Sequence, residues 1–457
     1  MKFKLVLASC LFVGGVASLP LSVSAKAPAD KIAELGGAKY TCVGAEKAGT
    51  KSGVAEFTGK YLDTWPGIKG KSGYEPGPYA DEKPTLKISS ANAAQYAAQL
   101  TEGQKAMLKK YPTTFYMNVY PSHRDFRVPD WVCDVVKKNA AESEVVHDGL
   151  GITGTTGGTP FPFPSTGLEA IWNTNGTYRP WNENGVVDIA DVYASGNIAW
   201  GKQHFMSFAL ANDPKKRGSY QDKINAYFFT AYFLPERDKG FVAVGFQPND
   251  FTKDSTQSWQ YQPGIRRVRQ APEVGFDYPV PPAGLRTVDD DYGFNGSPER
   301  YTWKLVGKKE LYVPYNNFKV NDTAVKYKDL IKPNNVNPEF LRYEMHRVWV
   351  LEGSLKSGVR HIYKKRTLYI DEDTWLTLAA DNYDARGQLW RTTTITYHYS
   401  QQSMSYHRGA SIYNDLTANA YEAGYLTNEA GDKWWDLNST KINPAMFSPD
   451  AAARGGH

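Results

Sequence analysis

The sequence predicts a mainly β protein of the α+β class, in which a large curved antiparallel sheet or incomplete β-barrel is covered by a few helices. Aromatic residues make up 14% of the 457 residues, with 30 Tyr and 12 Trp, and such rings fit the pleated, half-buried surface of a sheet. Beyond about Gly185, aromatic and β-branched runs follow one another between turn residues. Helical signals are short and lie before that point.

The N-terminus has the three parts of an export signal. Lys2 and Lys4 precede an uncharged apolar run from Leu5 to Leu19, and Val23-Ser24-Ala25 supplies the small residues of a cleavage site. We predict export across a bacterial inner membrane with cleavage after Ala25. Cys10 lies in a lipoprotein-box-like context, but too few apolar residues precede it for lipidation. No later segment has the roughly 20 continuous apolar residues of a membrane-spanning helix.

Charge and length bound the possible partners and domains. Removing the two lysines of the signal from 53 basic residues leaves 51 against 48 acidic ones, a net charge of +3. A balance so close to neutral gives no argument for nucleic acid. We therefore expect no nucleic-acid partner. We also expect the protein to be a monomer. The predicted segments are a signal (1–25), an extended arm (26–88), a helical and loop cap (89–184), a β-meander or half-barrel (185–400) and a C-terminal extension (401–457), with arm, cap and barrel in one domain.

The cap carries the helical signals. A helix is predicted over 91–100, where alanines predominate. Thr101-Glu102-Gly103-Gln104 is a capping box for a second helix, which Pro112 ends. A further short helix is predicted from Pro129 to Ala140.

Strands dominate the rest of the chain. The clearest stretch, Phe340 to His398, divides into four strands separated by hairpin-like spacers, which predicts an up-and-down antiparallel meander. Apolar and polar residues alternate from Leu341 to His346, which predicts one apolar and one solvated face. The predicted strands cover 197–211, 223–234, 240–247, 341–355, 359–370, 375–383 and 388–399.

No motif in the sequence predicts catalysis. The histidines are scattered and fall in no zinc-binding spacing, so we predict no metal and no cofactor. The Gly-rich run 149–158 lacks the Lys-Ser/Thr of a phosphate loop and is predicted to be an ordinary loop. The acidic runs Asp289–Asp291 and Asp371–Asp373 are interpreted as turn formers and solvated charge. A hydrolase or carbohydrate-active enzyme stays an alternative, because its carboxylates can converge from distant positions.

A basic cluster follows one of the aromatic strands. Arg266, Arg267 and Arg269 come directly after a segment that carries Trp259 and Tyr261. We predict an anion-binding or partner-contact edge at these arginines. The alternative is a strand whose solvated face pairs with the aspartates at 289–291.

Two cysteines remain after removal of the signal. An even, small number of cysteines in an oxidising compartment predicts one disulfide, here between Cys42 and Cys133. It would tie the arm to the body of the protein across a loop of about 90 residues. The alternative is two separate buried thiols.

Several long blocks of the chain resemble one bacterial family. They are Leu100–Met107, Phe161–Pro164 with Gly167–Asn173, Arg266–Arg269 with Ala271–Pro272, Phe294–Lys309, and Tyr369–Trp375. From about Tyr40 to His398 the chain is similar to the family of domain of unknown function 1329 (DUF1329), whereas Ser400–His457 is less diagnostic. Cys42 and Cys133 depart from the family's usual pattern.

The resemblance implies a periplasmic protein of Gram-negative bacteria. It implies a fold similar to the lipoprotein-sorting carriers LolA and LolB, an incomplete antiparallel β-barrel closed by helices around a hydrophobic cavity. It also implies shuttling of lipidic cargo near an RND-type exporter and an outer-membrane protein. It implies no catalytic residue.

These observations together predict a periplasmic carrier or chaperone for a lipid, a lipoprotein or another hydrophobic molecule, and not an enzyme. Burial of an acyl chain against an aromatic inner face stabilises the complex by about 0.8 kcal/mol per CH₂ group. A scaffold that bridges an exporter to the outer membrane, docking through the arm before Lys87, is a further alternative. The predicted cavity-lining rings, any of which could instead fill the core, are Tyr227, Phe229, Trp259, Tyr261, Trp303, Tyr343 and Trp349.

Overall fold

The structure is a computed structural model and describes residues 26–60, 65, 76–216, 223–271, 276–431 and 435–455. The predicted export signal, with Lys2, Lys4, Cys10 and the cleavage position at Ala25, lies outside these ranges, as does Pro272. No helix within them combines the length and the apolar character needed to cross a membrane.

The helices of the described chain are short and lie mostly before the main run of strands. The capping box of the second predicted helix is confirmed, because Thr101 Oγ1 accepts the Gln104 N–H at 3.0 Å and Gln104 Oε1 accepts the Thr101 N–H at 2.9 Å. The predicted helix over 91–100 is a 3-10 helix, Ala93–Gln99. The α-helices are α1 (Ala29–Ala33), α2 (Glu102–Lys110), α3 (Asp130–Glu142), α4 (Gly167–Gly176), α5 (Tyr327–Leu330) and α6 (Pro449–Gly455).

Further 3-10 helices connect the strands. They are His147–Gly149, Leu210–Asn212, Glu236–Asp238, Val288–Gly293, Pro298–Arg300, Lys319–Asn321, Pro338–Phe340 and Pro444–Phe447. The strands are β1 (Leu86–Ile88), β2 (Met117–Val119), β3 (Glu144–Val146), β4 (Gly151–Thr153), β5 (Asn182–Val192), β6 (Ile198–Ala209), β7 (Ile224–Leu234), β8 (Val242–Pro248), β9 (Gln257–Gln262), β10 (Arg267–Gln270), β11 (Tyr301–Pro314), β12 (Tyr343–Leu355), β13 (Lys365–Asp371), β14 (Thr377–Tyr383), β15 (Leu389–Ser400), β16 (Ser405–Asp415), β17 (Ala420–Leu426) and β18 (Asp436–Leu437).

Sixteen of the described strands form one sheet, and β3 and β4 pair with each other. The sheet runs β1-β2-β12-β13-β14-β15-β16-β17-β5-β6-β7-β8-β9-β10, with β11 paired to β12 and β18 to β5. Its pairings are antiparallel except for the single parallel contact of Tyr343 in β12 with Val119 in β2. Among the described strands, β1 and β10 do not pair with each other, so the sheet is not closed. The predicted fold class and the β12–β15 meander are confirmed.

The sheet differs from the predicted strand limits at two places. The strand predicted from Val359 begins only at Lys365, because the side chain of His361 is held outside the sheet by Asp289 Oδ2 at 2.9 Å. The sheet also continues past residue 400, where β16 and β17 close the gap between β15 and β5. The segment set apart as a C-terminal extension therefore supplies central strands.

The N-terminal arm is fixed to the body of the protein. Cys42 and Cys133 form the predicted disulfide, which joins the arm to α3. Next to it, Trp375 at the β13–β14 hairpin donates its indole N–H to Val43 O at 3.1 Å. Helices α3 and α4 pack here against β12 and β13, and the cluster includes Val132, Val136, Ile171, Leu351, Leu368 and Ile370.

The predicted solvated face of β12 is wrong. Glu344 and His346 are as buried as their apolar neighbours, at 0% and 1% exposure. Charged side chains tolerate such burial only when they are paired and hydrogen-bonded. Some partners are close in sequence, such as Arg342, and others come from distant segments, such as the His123 N–H that Glu344 accepts at 2.9 Å. Together they form the site described next.

Candidate functional site

The buried side chains around the β13–β14 hairpin form an ionic network, here called the hairpin network. Asp373 accepts two hydrogen bonds from Arg124, from Nε at 2.6 Å and from Nη2 at 2.7 Å. Glu372 accepts from Arg347 Nε at 2.6 Å and from the Glu46 N–H at 2.9 Å, and it also pairs with Lys308. These contacts bring the arm, the segment before α3 and two strands, β11 and β12, onto one hairpin.

The interior end of the hairpin network contains Asp371 and His346. Asp371 Oδ2 accepts from Tyr315 Oη at 3.1 Å and from Thr374 Oγ1 at 2.6 Å. Tyr315 stacks on the His346 ring at 3.7 Å between centroids. Burial and the neighbouring Asp373 carboxylate raise the pKa of Asp371 above its usual range.

Glu344 links His346 to the surface side of the hairpin network. Its Oε2 lies 3.2 Å from His346 Nε2, and its Oε1 accepts from Arg342 Nε at 2.5 Å and from Asn316 Nδ2 at 3.0 Å. Burial acts to raise the pKa of Glu344, but the hydrogen bond with His346 and the charge of Arg342 hold it at about 2. Glu344 is therefore ionised at neutral pH.

The second acidic run is also buried, so the interpretation of both runs as solvated charge is wrong. Asp289 pairs with Arg366 Nη2 at 2.6 Å and with His361, and Asp291 pairs with Arg408. Burial opposes ionisation of Asp289, but the Arg366 charge and the His361 hydrogen bond lower its pKa. The partners lie dozens of residues away in sequence, so composition alone could not show them.

A third buried acidic pair joins β5 to β17. Glu422 lies opposite Asp191 in the register and accepts from Arg286 Nε at 2.6 Å. Asp191 Oδ2 accepts the Ala283 N–H at 2.6 Å. Burial and the charge of Glu422 raise the pKa of Asp191 well above its usual range.

Asp191→Asn is expected to remove a pH dependence of stability. Folding raises the pKa of Asp191, so the folded chain keeps a proton that the unfolded chain releases. The free energy of unfolding therefore falls as the pH rises above the pKa of Asp191 in the unfolded chain. The wild type should lose up to about 1.4 kcal/mol per pH unit from this group between pH 6 and 8. Urea unfolding at several pH values measures the slope. The control is Asp384→Asn, at a partly exposed turn residue, and an unchanged slope in Asp191→Asn would contradict the assignment.

A cleft of about 390 Å³ lies between the 3-10 helix Ala93–Gln99 and α2. Its walls are mostly aliphatic and small, and two lysines of α2 stand at it. The lining residues are Ser90, Ala93, Ala94, Ala97, Lys105, Leu108 and Lys109.

Gly103 seats α2 on the sheet beside this cleft. Its N–H donates to Asp381 Oδ2 at 3.0 Å, and a Cβ at this position would lie 1.9 Å from Thr392 Oγ1. Only glycine allows the helix so close to β14 and β15. Burial raises the pKa of Asp381 to about 6 although its hydrogen bonds lower it.

A second cavity lies at the outer end of the hairpin network. Its volume is about 30 Å³, and its lining includes Tyr79, Glu82 and Arg342. A space of that size holds one or two water molecules and no acyl chain. The cleft beside α2 is therefore the better candidate for an organic ligand.

A protein-family model described as "Protein of unknown function (DUF1329)" matches residues 87–453. The uncharacterized protein PA3922 of Pseudomonas aeruginosa is 38% identical over 451 residues, which are 97% of each chain. The chain belongs to the DUF1329 family. The match extends well past His398, so the C-terminal strands of this DUF1329 protein are part of the family's sequence pattern.

Three solved structures are similar to parts of this DUF1329 protein. A protein described as an outer membrane lipoprotein-sorting protein domain from Vibrio parahaemolyticus is 13% identical, with a TM-score of 0.43 over 63% of this chain and 98% of its own. A DUF1329 family protein from Desulfovibrio piger is 13% identical, with a TM-score of 0.40 over 60% and 92%. The LolA superfamily protein NE2245 from Nitrosomonas europaea is 10% identical, with a TM-score of 0.36 over 63% and 99%.

The rings predicted to line a cavity fall into three hydrophobic clusters of the DUF1329 protein. Tyr227, Phe229, Trp259 and Tyr261 lie together, against α6. Trp303 and Trp349 belong to the cluster under α3 and α4. Tyr343 belongs to a cluster that also contains residues of β1 and α2. The structure thus brings four of the seven rings together, and their role in ligand binding stays a prediction.

The three predicted contact arginines are exposed at the end of the sheet. Arg267 and Arg269 lie in β10, opposite Gln262 and Gln260 of β9, and Arg266 lies in the turn between the two strands. The alternative pairing with the aspartates at 289–291 is wrong, because Asp289 and Asp291 pair with other arginines. An anion or partner contact at this edge stays a prediction.

Sequence reasoning missed both the cleft and the hairpin network of the DUF1329 protein. The signal for the cleft was the run of alanines from Ala93 to Ala98, directly before a capped helix with lysines. The signal for the network was Arg342, Glu344 and His346 at alternate positions of a strand. Three ionisable residues on one face of a central strand are as consistent with buried ion pairs as with a solvated face.

Proposed function

We propose that this DUF1329 protein is a carrier that binds a hydrophobic molecule with an acyl chain in the cleft beside α2. The cleft is the observation that carries the proposal. Its volume of about 390 Å³ falls within the range of roughly 300–1,000 Å³ that is usual for small-molecule sites. Leu108 and the alanines of the 3-10 helix supply an apolar wall without bulky side chains.

The charge around the cleft favours an anionic head group on the ligand. Lys105 and Lys109 lie one turn apart on α2 and both line the cleft. Lys105 also pairs with Glu102 at 2.8 Å, on the exposed side of the helix. Burying the apolar tail against the alanines would stabilise the complex by about 0.8 kcal/mol per CH₂ group. The acidic head near these lysines would add an ionic contact.

The proposed place of action is the periplasm, and the proposed role is transport without catalysis. The export signal predicted at 1–25 supports the place, and the family resemblance to LolA-type carriers supports the role. The same resemblance supports a transport partnership with an RND-type exporter and with an outer-membrane protein. The exposed arginines of β10 are the proposed partner contact.

Filling the cleft should abolish ligand binding. Ala97→Trp places an indole ring in the cleft and should weaken binding of a fluorescent fatty acid at least tenfold. Ala98→Trp is the matched control, because Ala98 is exposed and does not line the cleft. Fluorescence titration of the delipidated protein measures both affinities, and native mass spectrometry of protein purified from the periplasm identifies the natural ligand.

A charge reversal tests the head-group contact separately. The double variant Lys105→Glu/Lys109→Glu should weaken binding of an anionic fatty acid more than binding of the corresponding neutral alcohol. Lys110→Glu, outside the cleft, should affect the binding of neither ligand. Equal binding by the wild type and Ala97→Trp would overturn the proposed site. Absence of any lipid bound by the wild type would overturn the proposed function.

A further inference from the structure

Three side chains at the interior end of the hairpin network converge from two strands and a turn. His346, Asp371 and Asp373 can each offer one ligand atom, and these atoms all lie within 4.8 Å of one another. The three residues are buried, at 1%, 0% and 4% exposure. One imidazole and two carboxylates are donors that first-row divalent metal ions accept.

Two atoms of this group have no hydrogen-bond partner among the residues that the structure describes. They are Nδ1 of His346 and Oδ1 of Asp371, both fully buried. Buried polar atoms are almost always paired, so two unpaired ones beside a third donor indicate a bound species. Asp371 also lacks an ion pair among the described residues, whereas Glu344, Glu372 and Asp373 each have an arginine partner.

The other polar atoms of His346 and Asp371 form hydrogen bonds of the kind that orient metal ligands in proteins. Glu344 Oε2 lies 3.2 Å from His346 Nε2, so this nitrogen carries the proton and Nδ1 keeps its lone pair. Tyr315 and Thr374 hold Asp371 Oδ2, which leaves Oδ1 available. A ligating histidine typically donates its other N–H to a carboxylate, and ligating carboxylates are themselves hydrogen-bonded.

We propose that His346, Asp371 and Asp373 bind one divalent transition-metal ion, with Zn²⁺ as the reference case. Zn–N and Zn–O bonds of about 2.0–2.2 Å require the three donor atoms to draw closer together on binding. The site is enclosed, which is typical of structural metal sites and unlike the open position of a catalytic one. The ion would tie β12 to the β13–β14 hairpin, and through Asp373 and Arg124 to the segment before α3. This proposal is independent of the proposed carrier function, and it replaces the expectation of no metal.

The test uses the mature full-length chain without an affinity tag. The protein is dialysed against EDTA and then titrated with Zn²⁺ by calorimetry and with Co²⁺ by visible absorption. We expect one ion per chain, a thermal midpoint that rises with Zn²⁺, and a Zn²⁺ affinity at least 100-fold weaker in Asp371→Asn. Glu344→Gln, which changes no donor atom of the site but removes the negative charge beside His346 and Arg342, should weaken binding about 10–100-fold.

The matched control is Asp381→Asn on the neighbouring strand. Asp381 is also a fully buried strand aspartate, but it does not belong to the three convergent donors, and its oxygens accept from Gly103, Tyr369 and Thr392. This variant should bind Zn²⁺ as the wild type does. A folded wild type that binds neither Zn²⁺ nor Co²⁺ stoichiometrically would overturn the proposal, as would unchanged affinity in Asp371→Asn. If Asp371→Asn does not fold, His346→Gln gives the same comparison.

Discussion

Arg366→Met is expected to lower the free energy of unfolding by about 3–5 kcal/mol, because it leaves buried carboxylates without their counter-charge. Arg366 is 0% exposed, and its Nη2 donates to Asp289 Oδ1 at 2.6 Å. Its Nη1 also donates to the Asp289 carbonyl at 3.3 Å, and its guanidinium lies 4.8 Å from the centre of the Tyr363 ring. Urea or thermal unfolding of the variant measures the loss.

Two further variants separate charge from packing at this position. Lys365→Met changes the adjacent residue, whose partly exposed pair with Glu352 at 2.7 Å should contribute at most about 1 kcal/mol. Adding Asp289→Asn to Arg366→Met should recover part of the stability, because the unpaired negative charge is then removed. A loss below about 1 kcal/mol in Arg366→Met would show that water reaches Asp289, against the burial described here.

Removing the disulfide is expected to lower the free energy of unfolding by up to about 4–5 kcal/mol. The bridge spans 91 residues, and in the chain-entropy model a loop of that length restricts the unfolded chain strongly. Both cysteines are half-buried, so the double variant Cys42→Ala/Cys133→Ala loses little packing. The measurement is denaturant unfolding of the variant and the wild type under oxidising conditions.

The reductant response provides the control for the disulfide. Adding a reductant should destabilise the wild type by a similar amount and leave the double variant unchanged. Protease digestion should then cut the arm before Trp65 sooner in the double variant, because α3 no longer retains the arm. Equal stability of variant and wild type would mean that Arg124 and Arg347 hold the arm without the bridge.

The sheet could be predicted where neighbouring strands are also neighbours in sequence. The β12–β15 meander has hairpin turns that short-range patterns indicate directly, and the capping box at Thr101 is equally local. The pairing of β17 with β5 joins Tyr421 to Val192 and has no local signal. For the same reason, the strands after residue 400 were set apart from the sheet that they complete.

The hairpin network was harder to predict than the sheet because the contacts that bring the arm and Arg124 to the hairpin are long-range. Arg124 and Asp373 are 249 residues apart, and Glu46 and Glu372 are 326 residues apart. A short acidic run beside a turn is usually solvated, and only the folded chain shows which cations reach it. Buried charge in a central strand is the pattern that would indicate such a site in a related sequence.

The position of β17 between β16 and β5 also limits when the protein can finish folding as the chain is synthesised from its N-terminus. The hairpins from β5 to β10 can form early, but one long edge of β5 stays open until residues 420–426 have been made. Such an edge is a template for pairing with other chains, and long-range pairing is slow. Nearly the whole polypeptide must therefore be delivered before the edge is closed, so a chain stopped short of β17 should aggregate rather than accumulate as a folded fragment.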